Sequence, residues 1–229
     1  MKVAIMQPYF FPYIGYFQLI NAVDVFVVYD DVNFIKQSWI TRNSILVNNE
    51  ATRINLIVEG ASSFKKINQI NRITKTNKWL KTIKQSYRKA PLFNTVYPLI
   101  EEVAMHDEKC ISKFLLISLQ KIASYLDMQT TFKLSSEIEK NNNLTGQDKV
   151  IAICKTLQSV NYVNALGGQK LYSKTDFKAH GIALDFIDTK PLTYKQFINQ
   201  FIPSLSIIDV LMFNSKDVVK GLLNQYELV

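Results

Sequence analysis

Apolar residues follow two rhythms along this chain. Uninterrupted runs occur near both ends, and between them lie stretches in which apolar positions recur every three or four residues. Val3-Ala4-Ile5-Met6 and Asp24-Val25-Phe26-Val27-Val28-Tyr29 are runs of the first kind, the mark of strands covered on both faces. With a short helix at 14–22 between them they form a βαβ unit. Ser44 to Asn48 and Thr52 to Val58 alternate, and they are expected to pair as a hairpin through Asn49-Glu50. Helices are predicted at 75–89, 92–104 and 108–126, then a strand at 130–135 and a turn at Asn141-Asn142-Asn143. Thr145, with Asp148 three residues on, reads as the N-cap of a helix running to about Ser159. A strand at 162–166, a Gly167-Gly168 loop, a helix near 174–179, a strand at 182–187 and helices at 204–213 and 215–226 complete the pattern.

Strand and helix alternate at both ends, which predicts a single α/β domain over 1–229. Its expected core is a Rossmann-like parallel sheet, of the nucleotidylyltransferase or HUP-like kind, with helices on both faces. A largely helical, basic insertion is expected at 59–128.

Composition narrows the class. Hydrophobic residues make up 48% of the chain and charged residues 20%, ordinary globular usage, so folding along nearly all the length is expected. No stretch approaches the ~18 apolar residues of a membrane span, and an opening strand without a leader pattern points to the cytoplasm. Cys110 and Cys154 fall within amphipathic helical patterns and are expected as free thiols, and no Cys/His cluster suggests zinc. His106 and His180 read as cap or surface residues, which leaves acid–base chemistry to Asp, Tyr or Lys. No motif names a cofactor.

Charge is concentrated. The formal net charge is +8, and no Asp or Glu stands between Glu59 and Glu101, whereas Lys65 to Lys89 hold nine basic residues. Such a field favours an anionic partner, whether nucleotide, nucleic acid or lipid headgroup. Trp79 and Tyr87 could stack on bases, but they share the face that an amphipathic helix buries, so nucleic acid is disfavoured.

Two segments carry candidate chemistry. Between Tyr9 and Phe17 six of nine residues are aromatic, directly after the first strand, where open α/β sheets place their ligand crevice. Phe10, Phe11 and Phe17 are expected in the core, whereas Gln7, Tyr9, Tyr13, Gly15 and Tyr16 are expected to bind substrate, the glycine admitting a ligand to the helix backbone. After the second strand, Asp30, Asp31 and Lys36 are candidate catalytic residues, and Trp39, Arg42 and Asn43 candidate binding residues. The carboxylates would serve as base, metal ligand or ribose contact, and the cations would clamp phosphate. Capping of the following turn is the competing role for both aspartates. The Gly167-Gly168-Gln169 loop, ahead of Tyr172, is either a plain turn or a further wall of the crevice.

Tyr13-Ile14-Gly15-Tyr16 occupies the place of the His-x-Gly-His motif of adenylyl-transferring enzymes, with tyrosines at both histidine positions. A neutral phenol brings no positive charge to phosphorus, so the likeness supports the fold more than that reaction. The wider pattern is specific. Met6 to Phe17, Asp24 to Val27, Asp30 to Phe34, Trp39 to Asn43, Tyr87 to Pro91, Ile153-Cys154, Phe201 to Pro203 and Ser206 to Asp209 resemble the WbqC-like protein family; Asn33 stands where glutamine is commoner. That resemblance implies work in bacterial O-antigen or related surface-polysaccharide assembly. The substrate it implies is a nucleotide-linked or lipid-linked sugar, often an amino sugar. The expected partner is a nucleotide-linked sugar or other phosphorylated small molecule, and the expected reaction is transfer of an acyl, aminoacyl or similar group to the sugar's amine. Non-catalytic binding of a nucleotide sugar is the alternative.

Overall fold

The computed structural model describes residues 1–74, 78–197 and 200–229. Strand β1 (Lys2–Met6) leads through helix α1 (Ile14–Asn21) to β2 (Val25–Val28), which pairs with β1 in parallel, Val3 opposite Val25. All four residues of β2 are buried, as its unbroken apolar run requires. The chain then leaves the sheet for about a hundred residues. It forms the hairpin β3 (Arg42–Val47) and β4 (Glu50–Asn55), a short ladder of β5 (Val58–Glu59) with β6 (Asn71–Arg72), and helices α2 (Lys78–Tyr87), α3 (Phe93–Met105) and α4 (Ile111–Tyr125). It rejoins the sheet at β7 (Thr131–Leu134), parallel to β2. Helix α5 (Gly146–Thr156), β8 (Asn161–Ala165), α6 (Lys174–Ala179) and β9 (Ala183–Thr189) follow, then α7 (Ile207–Phe213), α8 (Lys216–Leu222) and β10 (Tyr226–Leu228).

The six-stranded sheet has the order β10-β9-β8-β1-β2-β7, parallel except for β10. Side chains alternate across it. Val3, Ile5, Val25 and Val27 pack with Ile153, Cys154 and Phe177 of α5 and α6, whereas Ala4, Phe26 and Val28 face α1 and the helices of the long excursion. The result is a mixed α/β fold, a largely parallel sheet covered by helices on both faces.

Three sequence expectations need correction. The hairpin turns through Asn48-Asn49, not Asn49-Glu50, because Val47 pairs with Glu50. Both turn residues have positive φ, 50° and 66°, which a tight hairpin turn demands and asparagine tolerates. The last helix stops at Leu222, and the chain returns as β10, Tyr226 opposite Thr189. Finally, α7 begins only at Ile207, capped by the Ser206 hydroxyl, so residues 190–206 hold no regular structure in their described part. Trp79 and Tyr87 are 2% and 0% exposed, and Trp79 meets Phe10 edge-on at 5.2 Å, so neither ring is open to a base. Residues 75–77 of the predicted lysine-rich helix lie outside the described residues.

Candidate functional site

From β1 the chain runs outward to β2 and β7, then crosses back to β8 and β9 on the other side. The flanking connections therefore diverge at the C-terminal ends of β1 and β8, the position where doubly wound sheets open a crevice. A cavity of about 800 Å³ lies there. Met6 and Gln7 end β1 on one side, Asn164 and Ala165 end β8 on the other, and Asp188 and Thr189 extend the wall from β9. The start of α1 contributes Tyr13, Gly15 and Tyr16, with Tyr9, Trp39 and Asn43 toward the rim.

The aromatic loop is sewn down through its backbone. Phe11 has φ 42°, an unusual conformation for a bulky residue that its surroundings must enforce. Asn43 Nδ2 donates to the carbonyls of Phe10 (3.1 Å) and Phe11 (2.7 Å), and Ser206 Oγ donates to Phe11 O (2.7 Å). Phe10 N donates to Trp39 O, and Ile207 N to Pro12 O. With Phe10, Phe11 and Phe17 wholly buried, this anchoring turns the tyrosines toward the cavity.

Gly15 shows how closely the wall is built. A Cβ there would stand 2.2 Å from Tyr13 Oη and 2.7 Å from Thr189 Oγ1, so the Tyr13 ring folds over bare helix backbone. Tyr16 is buried and donates its hydroxyl to Gln7 O at 2.8 Å. Burial raises the Tyr16 phenol, with Tyr9 adding to the effect, and burial alone raises Tyr9. Tyr29 is raised by burial first and by Asp31 and Tyr172 second, whereas Tyr172 is raised by burial against the opposing effect of its Tyr162 hydrogen bond. These phenols keep their protons and act as neutral hydrogen-bond donors.

Of the residues predicted from sequence, Gln7, Tyr9, Tyr13, Gly15, Tyr16, Trp39 and Asn43 all line the cavity. Arg42 stands in β3 and is not among the lining residues, and Lys36 is exposed on the loop before it. Asp30 and Asp31 lie away from the cavity and are occupied by partners from distant sequence. Asp30 is 1% exposed and accepts from Ser136 N (2.9 Å) and Oγ (2.7 Å). Asp31 sits between two buried ammonium groups, Lys140 at 3.0 Å and Lys149 at 2.9 Å, and accepts from Ser135 Oγ at 2.6 Å. Burial works to raise the Asp31 carboxyl, but the Ser135 hydroxyl and the two lysines outweigh it and hold it below the usual carboxylate range. An anion so held ties the end of β2 to α5 and to the segment before it.

Of the opposite wall, sequence reasoning offered only the Gly167-Gly168-Gln169 loop ahead of Tyr172, and it missed Asn164 and Asp188. Asn164 is 5% exposed; its Oδ1 accepts from Ala165 N at 2.8 Å, while Nδ2 has no partner among the described residues. Gly168 lies so near that a Cβ would come within 2.3 Å of Nδ2, so the Gly167-Gly168 loop is a wall as well as a turn. Asp188 is the one acidic side chain among the described lining residues, and no lysine or arginine is among them. The signal for these positions is topological: the C-terminal ends of β8 and β9, parallel to β1, must reach the crevice that β1 opens. Elsewhere, both cysteines are free, and burial pushes the Cys154 thiol up to about 12. No helix among the described residues is long and apolar enough to cross a membrane.

No solved structure matches the chain. Rv1507c, an uncharacterized protein of Mycobacterium tuberculosis (strain ATCC 25618 / H37Rv), is 27% identical over 219 residues, 93% of each chain. A model of the WbqC-like protein family matches residues 7–220, which takes in every described lining residue of the cavity except Ile5 and Met6. The chain belongs to the WbqC-like protein family.

Proposed function

We propose that this Rossmann-like cavity holds the sugar end of an activated amino sugar, and that the protein transfers an acyl or aminoacyl group to the sugar's amine in surface-polysaccharide assembly. The observation that carries the reading is the single carboxyl group, Asp188, in a lining of tyrosines, Trp39 and the amides of Gln7 and Asn164 that holds no lysine or arginine among its described residues. An ammonium group suits that setting: it pairs with the carboxylate and lies against electron-rich ring faces. Sugar hydroxyls suit the Tyr9, Gln7 and Asn164 polar tips, and a ring's C–H face suits Trp39. Phosphates find only the first N–H groups of α1 near Gly15, so the nucleotide extends outward from the mouth. In the transfer, Asp188 takes a proton from the ammonium group, the neutral amine so formed attacks the acyl carbonyl, the N–C bond forms, and the donor's leaving group departs with the second proton the nitrogen sheds.

Calorimetry with a nucleotide-linked amino sugar and its N-acetylated counterpart tests the reading. The free amine is expected to bind at least tenfold more tightly, about 1.4 kcal/mol, and Asp188→Asn is expected to erase that preference. Equal binding of both sugars, or binding of neither, would refute it. A binding module without turnover is the second reading, favoured by tyrosines where imidazoles would catalyse. Mass spectrometry of the bound amino sugar after incubation with acyl thioester donors separates the two, since only a transferase adds acyl mass.

A further inference from the structure

Two paired loops, one of them reaching the cavity through Trp39, carry three exposed apolar side chains, among them the most exposed large apolar side chain of the described residues, Phe64. Phe64 is 94% exposed, Ile35 52% and Trp39 50%. Backbone contacts hold these loops together: Phe34 N donates to Lys65 O at 2.8 Å, and Asn33 bridges Lys66 in antiparallel fashion. Ile35-Lys36 and Phe64-Lys65-Lys66 therefore stand side by side. Residues 32–40 and 60–67 contain those three lysines and no Asp or Glu. Trp39 also lines the cavity, and the same cavity takes Leu166 and Leu171, 39% and 70% exposed, with Lys170 exposed beside them.

Single exposed apolar residues need no explanation, but a run of them on paired loops, interleaved with one sign of charge, does. Apolar tips beside lysines are what a polar–apolar boundary of negative sign selects: the rings enter the headgroup layer and the ammonium groups stay at the phosphates. The whole chain adds attraction with its net charge of +8. A second copy is a poor occupant, because two-fold pairing of this face would set Lys36, Lys65 and Lys66 against their own copies.

We propose that this face docks the protein on an anionic bilayer surface, Phe64 and Ile35 inserting and Lys36, Lys65 and Lys66 meeting lipid phosphates. Docking brings the cavity mouth to the lipid, where a lipid-linked sugar rather than a freely diffusing one would enter. That last consequence rests on the sugar reading above; the docking itself does not.

Cosedimentation with vesicles of phosphatidylglycerol and phosphatidylcholine tests it without any sugar. At low salt the protein is expected to bind the mixed vesicles and leave pure phosphatidylcholine unbound, with the binding falling as salt rises. Trp39 emission is expected to shift blue on binding, while Trp79, 2% exposed, gives an unchanged background. Neutralising each lysine should weaken partitioning about fivefold. Phe64→Ser with Ile35→Ser should reduce it further with an unchanged melting curve, since both side chains are exposed. Absence of binding to the anionic vesicles at low salt would overturn the proposal, as would binding indifferent to all these variants. Sedimentation equilibrium that shows a dimer lost on Phe64→Ser would give the face to a second copy and overturn it too.

Discussion

Asn43→Ala tests whether one side chain holds the aromatic wall in place. Asn43 is 3% exposed, and its Nδ2 is the only described donor to Phe10 O, at 3.1 Å. Removing it leaves a buried carbonyl without a partner, at about 1–3 kcal/mol. Phe11 O keeps the Ser206 hydroxyl at 2.7 Å, so its loss is one ordinary hydrogen bond, about 1 kcal/mol. Together these predict about 3 kcal/mol, a fall in Tm of roughly 6–12 °C for a domain of this size. Ser206→Ala alone removes the other donor to Phe11 O and the cap on Ile208 N, about 2 kcal/mol in sum. In the double variant Phe11 O has no donor at all, so the loss should exceed the sum of the singles by about 1–2 kcal/mol. Urea unfolding followed by the fluorescence of Trp79, which packs on both phenylalanine rings, reads the effect at the loop itself. A loss below about 1 kcal/mol for Asn43→Ala, or additivity within about 0.5 kcal/mol, would refute the reasoning.

Gly15→Ala is expected to cost about 1–3 kcal/mol, because the partly exposed Tyr13 ring can swing aside but Thr189 Oγ1 on β9, 2.7 Å from the new Cβ, must also give way. The amino sugar that binds the wild type should also bind at least tenfold more weakly, and unchanged affinity would show that the close packing of Tyr13 on Gly15 serves only the fold. Asp31→Asn strands two buried ammonium groups and should cost about 3–5 kcal/mol at neutral pH. The folded Asp31 titrates below its unfolded value, so its contribution is complete above the unfolded carboxylate range and fades as pH falls through the folded one. The stability gap between wild type and variant should therefore shrink toward pH 3; a gap that held constant from pH 7 to 3 would contradict the ion-pair role.

The first strand, the short helix and the second strand were legible because their signal is local: apolar runs for β1 and β2, and a burst of aromatic residues at the β1–α1 junction. The same locality made the cavity's first wall readable, since Gln7, Tyr9, Tyr13 and Gly15 follow the strand that aims them. It failed for Asp30 and Asp31. Paired carboxylates after a strand look the same whether they face solvent, a ligand or buried lysines. The deciding partner, Lys149, lies 118 residues further along the chain.

Taken alone, then, the sequence determined the fold class, the family pattern and one side of a crevice, because periodicity and strand-to-helix punctuation are properties of neighbouring residues. Tertiary structure alone decided the rest. Residues 223–226 read as the end of a helix until β9 offered Tyr226–Leu228 an open edge. Asp188 became the cavity's acidic group only when the sheet order placed β9 two strands from β1. Lys36, Lys65 and Lys66 became one basic face only when the Asn33–Lys66 bridge joined their loops. In each case a polar side chain takes its role from a partner brought near by strand pairing. Strand pairing, unlike helical period, leaves no mark within a short window of sequence.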